Sequence, residues 1–182
     1  MRGILKVNCL GGVMISINKF VYRILFLLSL IAILYATLYR ETGHRNINME
    51  LHLFWTIKRA WREHSGYHWY LILGNIALFI PFGFFLTPIL FKPDWRKVVI
   101  LGIALSTVIE IIQVLTNRGL GELDDVLHNT WGSLLGYCAA VIMEHVLGRR
   151  NKQFKGQLMG SILFLGFTIT MFTLLILYNR PG

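Results

Sequence analysis

The chain has 182 residues, of which 55% are hydrophobic and 15% charged, and its mean hydropathy is +0.58. Soluble domains usually carry about 25% charged residues, so this composition excludes an ordinary soluble domain and indicates an integral membrane protein. The net charge of +9 comes from basic residues that lie between long apolar runs, a distribution that encodes membrane topology and argues against a nucleic-acid-binding surface.

Five apolar runs are long enough to cross a bilayer, which requires about 20 residues in a helix. They cover residues 20–39, 70–91, 97–116, 125–147 and 160–178. The first run follows a basic segment and is too long for the apolar region of a signal peptide, so we interpret it as a retained anchor. The sequence therefore predicts an all-α membrane protein that contacts the lipid bilayer through a bundle of about five transmembrane helices.

The segment between the first two spans has a pattern of its own. In "MELHLFWTIKRAW", residues 49–61, most apolar side chains fall on one helical face, and Lys58 and Arg59 point in other directions. This amphipathic pattern predicts a short helix in the headgroup layer, with nearby Trp and Tyr residues as anchors. An amphipathic helix packed on the bundle is the alternative.

Basic residues in the short loops predict the orientation. Ten of the Lys and Arg residues fall on one side: Arg2, Lys6, Lys19, Lys92, Arg96, Lys97, Arg149, Arg150, Lys152 and Lys155. The other side has Arg118 and Arg180 in short segments and five more in the long loop of residues 40–69. We therefore predict that the N-terminus lies inside and the C-terminus outside.

This orientation brings polar residues from three spans to the outer third of the membrane. Glu110 lies six residues before the end of its span, roughly 9 Å deep at about 1.5 Å per residue. An ionised side chain at the bilayer centre costs at least about 2.5 kcal/mol, so Glu110 must face the bundle, be paired or be protonated. We predict an outward pocket lined by Asn75, Glu110, Gln113, Arg118, Asp124, Asp125 and Asn129.

Structural roles compete with this interpretation. Asp124 and Asp125 stand at the start of a helix, where a carboxylate caps free N–H groups and favours the helix dipole. Asn129 shares a helical face with Asp125 and can join two helices by hydrogen bonding. His128 lies about 100° away from that face and is predicted to face the headgroups.

Helix packing is predicted from glycine spacing. Gly132 and Gly136 form a G-x-x-x-G pattern that lets another helix approach closely, and Gly83 offers room for such contact. The chain has no phosphate loop, nucleophile elbow, H-E-x-x-H or dinucleotide fingerprint, so we predict no cofactor and no metal site, and we assign no named reaction.

Two segments carry a family resemblance. "GNIALFIPFGFFL" and "STVIEIIQVLTNRGLGELDDVLHNTWGSLLGY" resemble the VanZ-like family, through Asn75, Pro81 and Gly83, then Glu110, Gln113, Arg118, Asp124, Asp125, Asn129, Thr130, Gly132 and Gly136. The resemblance covers about residues 45–147. This chain departs from the pattern in a longer Arg-to-Asp segment and in His128, which stands where an apolar residue is common.

The resemblance implies a multi-pass protein of the bacterial cytoplasmic membrane that acts at the outer surface, in a family associated with teicoplanin resistance. Together with the apolar runs and the basic residues, it divides the chain into a cytoplasmic basic segment (1–19), an anchor (20–39), the VanZ-like domain (45–147), and a basic inner loop with a last span (148–182). One hypothesis is a pocket that engages a lipid-linked envelope precursor, a phospholipid headgroup or a lipoglycopeptide. The other is an enzyme that modifies an envelope lipid, with Glu110 and Asp125 as catalytic candidates.

Overall fold

The computed structural model describes residues 19–38, 49–90, 94–116, 121–147 and 156–179. Within these residues the chain forms helices joined by two very short strands. In chain order they are α1 (Lys19–Leu38), β1 (Met49–Glu50), α2 (Trp55–Arg62), α3 (Gly66–Ile89), α4 (Trp95–Leu115), β2 (Gly121–Glu122), α5 (Leu123–Val146) and α6 (Leu158–Tyr178).

The prediction of an all-α membrane protein is confirmed. Four helices, α1, α3, α4 and α6, are long and apolar enough to cross a membrane. The fifth predicted span corresponds to α5, which has 24 residues but does not reach the same hydropathy among the described helices. This helix lies against α3, α4 and α6, and twelve of its residues are buried. Because α5 faces protein on several sides, it can carry polar residues that a lipid-facing helix could not.

Glycines bring α3 and α5 into backbone contact. A Cβ atom added at Gly132 would overlap the carbonyl of Ile76, and one at Gly136 would overlap the carbonyl of Ile80. A Cβ at Gly83 would overlap the backbone of Ser133 in the same way. The close approach predicted from the glycine spacing is therefore present, and its partner is α3. Since the contacts advance in the same direction along both helices, α3 and α5 run parallel.

Contacts between helix ends show that the long helices alternate in direction. The side chain of Gln113, near the end of α4, donates to the carbonyl of Thr37, near the end of α1, at 2.9 Å. Trp69, near the start of α3, donates to Asn179, just after α6, at 3.0 Å. One end of the bundle thus holds the last turns of α1, α4 and α6 and the first turns of α3 and α5, and α2 lies there as well. We call it the α2 end.

The segment before α2 is extended rather than helical. Met49 and Glu50 pair in parallel with Gly121 and Glu122, so β1 is hydrogen-bonded to the residues that precede α5. The sequence predicted a helix from residue 49, whereas the helix begins at Trp55. The amphipathic period did not reveal this strand pairing, because its partner is some seventy residues away along the chain.

One face of the α2 helix packs on the bundle, which is the alternative that the sequence left open. Thr56 and Ala60 are buried against the bundle. Apolar side chains around α2 remain exposed: Leu51, Leu53, Phe54, Trp55 and Trp61. The Arg62 guanidinium lies 5.9 Å from the centre of the Trp55 ring, and Lys58 is exposed. A helix with exposed aromatic and basic side chains at the end of a membrane bundle suits an interfacial position.

Candidate functional site

Buried polar side chains gather where α4, α5 and the start of α2 meet. Their exposed fractions are 9% or less, and they are Thr56, Ser106, Glu110, Gln113, Asp124, His128 and Asn129. Four of them belong to the predicted pocket. Of the other predicted residues, Asn75 and Asp125 are half-buried, and Arg118 lies outside the described residues.

Glu110 is held by the backbone at the start of α5. Its Oε2 atom accepts a hydrogen bond from the N–H of Glu122 at 3.0 Å, and the side chain is only 7% exposed. The sequence predicted that Glu110 would face the bundle, be paired or be protonated. The structure pairs it with a backbone N–H of β2, which joins the C-terminal part of α4 to the residues that lead into α5.

Asp124 caps a helix other than its own. Its Oδ1 atom accepts from the N–H of Phe54 at 2.6 Å, and its Oδ2 atom accepts from the N–H of Thr56 at 2.7 Å. Phe54 is the N-cap residue of α2, has a left-handed backbone (φ 62°) and has no side chain that can cap. Asp124 therefore supplies from α5 the acceptor and the negative charge that favour the N-terminus of α2. The sequence predicted capping at this position, but on α5 itself.

Asn129 joins α5 to α4. Its Nδ2 atom donates to Ser106 Oγ at 2.8 Å, and its backbone carbonyl accepts from Ser133 Oγ at 3.0 Å. Its Oδ1 atom is buried and has no hydrogen-bond partner among the described residues. Asn129 thus makes the interhelical hydrogen bond expected of its structural role. Its Oδ1 atom can still accept a hydrogen bond.

The prediction for His128 was wrong, because the side chain is buried rather than at the headgroups. It is 3% exposed, and within the described part of the chain neither ring nitrogen has a hydrogen-bond partner. His128 follows Asp124 by one helical turn, so the two side chains lie on the same face of α5. Because Asp124 faces the protein and bonds to α2, His128 also faces the protein. Because α5 is buried on several sides, both the Asp124–His128 line and Asn129 face protein, and Asp125 is half-buried.

The remaining predicted residues lie at the edge of this cluster. Gln113 is one turn beyond Glu110, and its amide is used to hold α1 through Thr37. Asn75 is half-buried on α3, directly after Gly74 and one turn before Leu78. Glu110, Asp124 and Asn129 therefore each connect α5, or the strand before it, to another element, while Gln113 holds α1 and Asn75 lies on α3.

Two residues that sequence reasoning missed belong to the α2 end. Thr56 Oγ1 is buried and has no partner among the described residues, although the backbone N–H of Thr56 reaches Asp124. Asn179 accepts from Trp69 Nε1 at 3.0 Å and donates to the carbonyl of Trp61 at 2.8 Å, which fastens α6 to α2 and α3. The only sequence signal for Asn179 was a polar residue directly after an apolar span.

The cluster has hydrogen-bonding capacity that the described residues leave unused. The atoms are Thr56 Oγ1, both ring nitrogens of His128, and Asn129 Oδ1. Each buried polar atom without a partner costs about 1–3 kcal/mol, so water or a polar ligand at these atoms would stabilise the folded protein. Among the described residues, no three His, Cys, Asp or Glu side chains are grouped so that they could hold a metal ion.

Comparison with known proteins gives one result. The model of the VanZ/LLP1 family matches residues 20–144, from the first turn of α1 to the last turn of α5. The match includes α1, whereas the resemblance seen in the motifs began near residue 45. No curated protein and no solved structure has a significant match to the chain.

Proposed function

Because this chain belongs to the VanZ/LLP1 family, we propose that it is a bacterial envelope protein that binds the polar group of a surface ligand at its α2 end. The ligand is an envelope lipid or a lipid-linked cell-wall precursor. Its engagement lowers the susceptibility of the cell to teicoplanin-type glycopeptides.

The unused hydrogen-bonding atoms carry this proposal. Packing alone would favour apolar side chains at positions as buried as His128 and Asn129, since buried polar atoms without partners lower stability. A ligand that forms hydrogen bonds with these atoms would remove this loss of stability, so their presence favours a binding site. Thr56 and His128 lie beside Asp124, whose carboxylate accepts hydrogen bonds from the first residues of α2.

The charge distribution supports an outward position for the α2 end. By sequence, ten basic residues belong to the side of the N-terminus, against two in the short segments and five in the 40–69 loop on the side of the α2 end. In this orientation the N-terminus is inside, the C-terminus is outside, and α2 lies in the outer headgroup layer. Arg118 belongs to the connection between α4 and β2, and in the proposal it meets an anionic group of the ligand.

A resistance assay tests the proposal. Wild type, Glu110→Gln and Asp125→Asn are expressed at equal levels in a susceptible host, and the minimum inhibitory concentration of teicoplanin is measured. We expect protection from wild type and its loss in both variants. Asp94→Asn is the matched control, because Asp94 caps α4 at the opposite end and should leave protection intact. Equal protection by all four proteins, or by none, would contradict the proposal.

A second candidate function is an enzyme that modifies an envelope lipid. The burial of the Glu110 carboxylate favours it, since a desolvated carboxyl group is suited to general acid or base chemistry. In this case Glu110 exchanges a proton with the lipid headgroup and Asp125 orients the substrate. Labelled envelope lipids are compared between cells that express wild type and Glu110→Gln. A new lipid species that only wild type produces is expected, and identical profiles would argue strongly against catalysis.

A further inference from the structure

The outward side of α2 carries basic side chains beside an exposed tryptophan. Trp55, Lys58 and Arg62 follow one another at three- and four-residue intervals, so they share one face of the helix, and all three are exposed. Thr56 and Ala60 lie on a different face, which is buried against the bundle. The basic face therefore points away from the bundle and is separate from the buried polar site, to which Thr56 belongs.

The charges of this face are not neutralised by the carboxylates that the structure describes. Among the described residues, neither Lys58 nor Arg62 forms a salt bridge. Glu63 is the one exposed acidic side chain among the residues whose exposure is described, and its Oε1 atom lies 3.0 Å from the Nε atom of Arg59. Lys58 and Arg62 thus present net positive charge to their surroundings.

Aromatic contacts place this charge at a membrane surface. Trp61 of α2 stacks on Tyr178, the last residue of α6, with ring centroids 5.5 Å apart and 13° between the ring planes. Helix α6 is long and apolar enough to span a membrane, so Tyr178 lies at the end of a span. The Arg62 guanidinium lies over the Trp55 ring, 5.9 Å from its centre. Because exposed Trp and Tyr rings prefer the headgroup layer, the basic face of α2 lies at the level of the lipid phosphates.

We infer that Lys58 and Arg62 bind the phosphate groups of anionic phospholipids, so that α2 gathers these lipids at its end of the bundle. Uncompensated positive charge selects an anionic headgroup over a zwitterionic one, and each basic side chain near a membrane surface raises the affinity about fivefold. Exposed Leu51, Leu53 and Phe54 beside this face favour a lipid surface over a soluble acidic partner, because they can enter the boundary between headgroups and acyl chains. The inference is independent of what binds the buried polar site.

Charge-removing substitutions test the inference. Lys58→Gln with Arg62→Gln removes both charges at exposed positions, so the fold should be retained. Arg59→Gln with Glu63→Gln is the matched control, because it also changes two exposed residues of this region but leaves the net charge unchanged. Lys58→Arg with Arg62→Lys is a second control, which keeps both charges. Native mass spectrometry of the purified proteins measures the binding of dioleoyl-phosphatidylglycerol and of dioleoyl-phosphatidylcholine, which has the same chains.

We expect wild type to prefer phosphatidylglycerol. The variant without both charges should bind phosphatidylglycerol about tenfold more weakly or worse, with its binding of phosphatidylcholine unchanged. Both controls should keep the preference of wild type. Equal binding of phosphatidylglycerol by wild type and the charge-removed variant would overturn the inference. A similar loss in either control, or an equal loss of phosphatidylcholine, would also overturn it, because the loss would then not follow from the missing charge.

Discussion

The buried polar residues at the α2 end have different roles even though they are neighbours in sequence. Asp124 uses both carboxylate oxygens on the backbone of α2, Asn129 uses its amide nitrogen on α4, and His128 has no partner among the described residues. The sequence predicted Asn129 as a pocket residue and gave helix joining as the competing structural role, because an amide within a span must find a partner. The sequence placed His128 wrongly. Adjacent residues on a helix differ by about 100° in direction, so a small error in the orientation of α5 moves a side chain from the headgroups to the protein interior.

Asp124→Asn tests the cap on α2. Each carboxylate oxygen accepts a different N–H, and the amide nitrogen of Asn cannot replace one of them. We expect the first turn of α2 to lose about 1 kcal/mol, so hydrogen exchange at the amides of residues 56–58 should become about fivefold faster.

Asp94→Asn provides the comparison for that measurement. Asp94 caps α4 through the N–H of Arg96 at 3.1 Å, at the other end of the bundle. Because Asn keeps an oxygen that can accept this single N–H, its substitution should leave exchange unchanged both at the start of α4 and in α2. If Asp124→Asn leaves exchange in α2 at the wild-type rate, Asp124 does not hold this helix.

At the scale of helices, glycine determines how closely α3 and α5 approach. The spacing of Gly132 and Gly136 predicted a close contact, because only small residues let two backbones meet. The spacing could not identify the partner, since any of the other helices could have provided the opposing surface. The hydropathy of α5 was harder to interpret, because the polar residues that make it a poor lipid-facing helix are those that face its neighbours.

Gly136→Ala tests this contact. The added methyl group would overlap the carbonyl of Ile80 and lie 2.6 Å from the backbone nitrogen of Phe84. Since backbone atoms cannot rotate away, we expect a loss of about 1–3 kcal/mol and a lower Tm in detergent. Gly166→Ala places the same methyl group in open space and should leave the Tm unchanged or raise it. A similar Tm for both variants would show that α3 and α5 are not in backbone contact.

For the whole molecule, the sequence predicted the all-α membrane architecture from the apolar runs, and the structure adds the order of their packing. Helix α5 is central, and Asn179 fastens α6 to α2 and α3 at the α2 end. The strand pair β1–β2 and the Asp124 cap depend on residues some seventy positions apart, so no local pattern could predict them. Which side of the membrane the α2 end faces follows from the basic residues alone and stays a prediction.

Single-cysteine labelling tests the orientation. In a background of Cys9→Ser and Cys138→Ala, the exposed positions Lys58 and Lys97 are replaced one at a time by Cys. If the N-terminus lies inside, Lys58→Cys should react with a membrane-impermeant maleimide on intact cells. Lys97→Cys should react only after the cells are permeabilised. The reverse pattern would place the α2 end inside and remove the basis for a surface ligand.

The central claim is that a ligand completes the polar site between α2, α4 and α5. The most direct measurement is a cryo-EM map of the protein with a bound antibody fragment, in nanodiscs of phosphatidylglycerol. The claim predicts headgroup density within hydrogen-bonding distance of His128 or Asn129 Oδ1. A map in which these atoms are bonded only to water, or to the protein's own side chains, would contradict it.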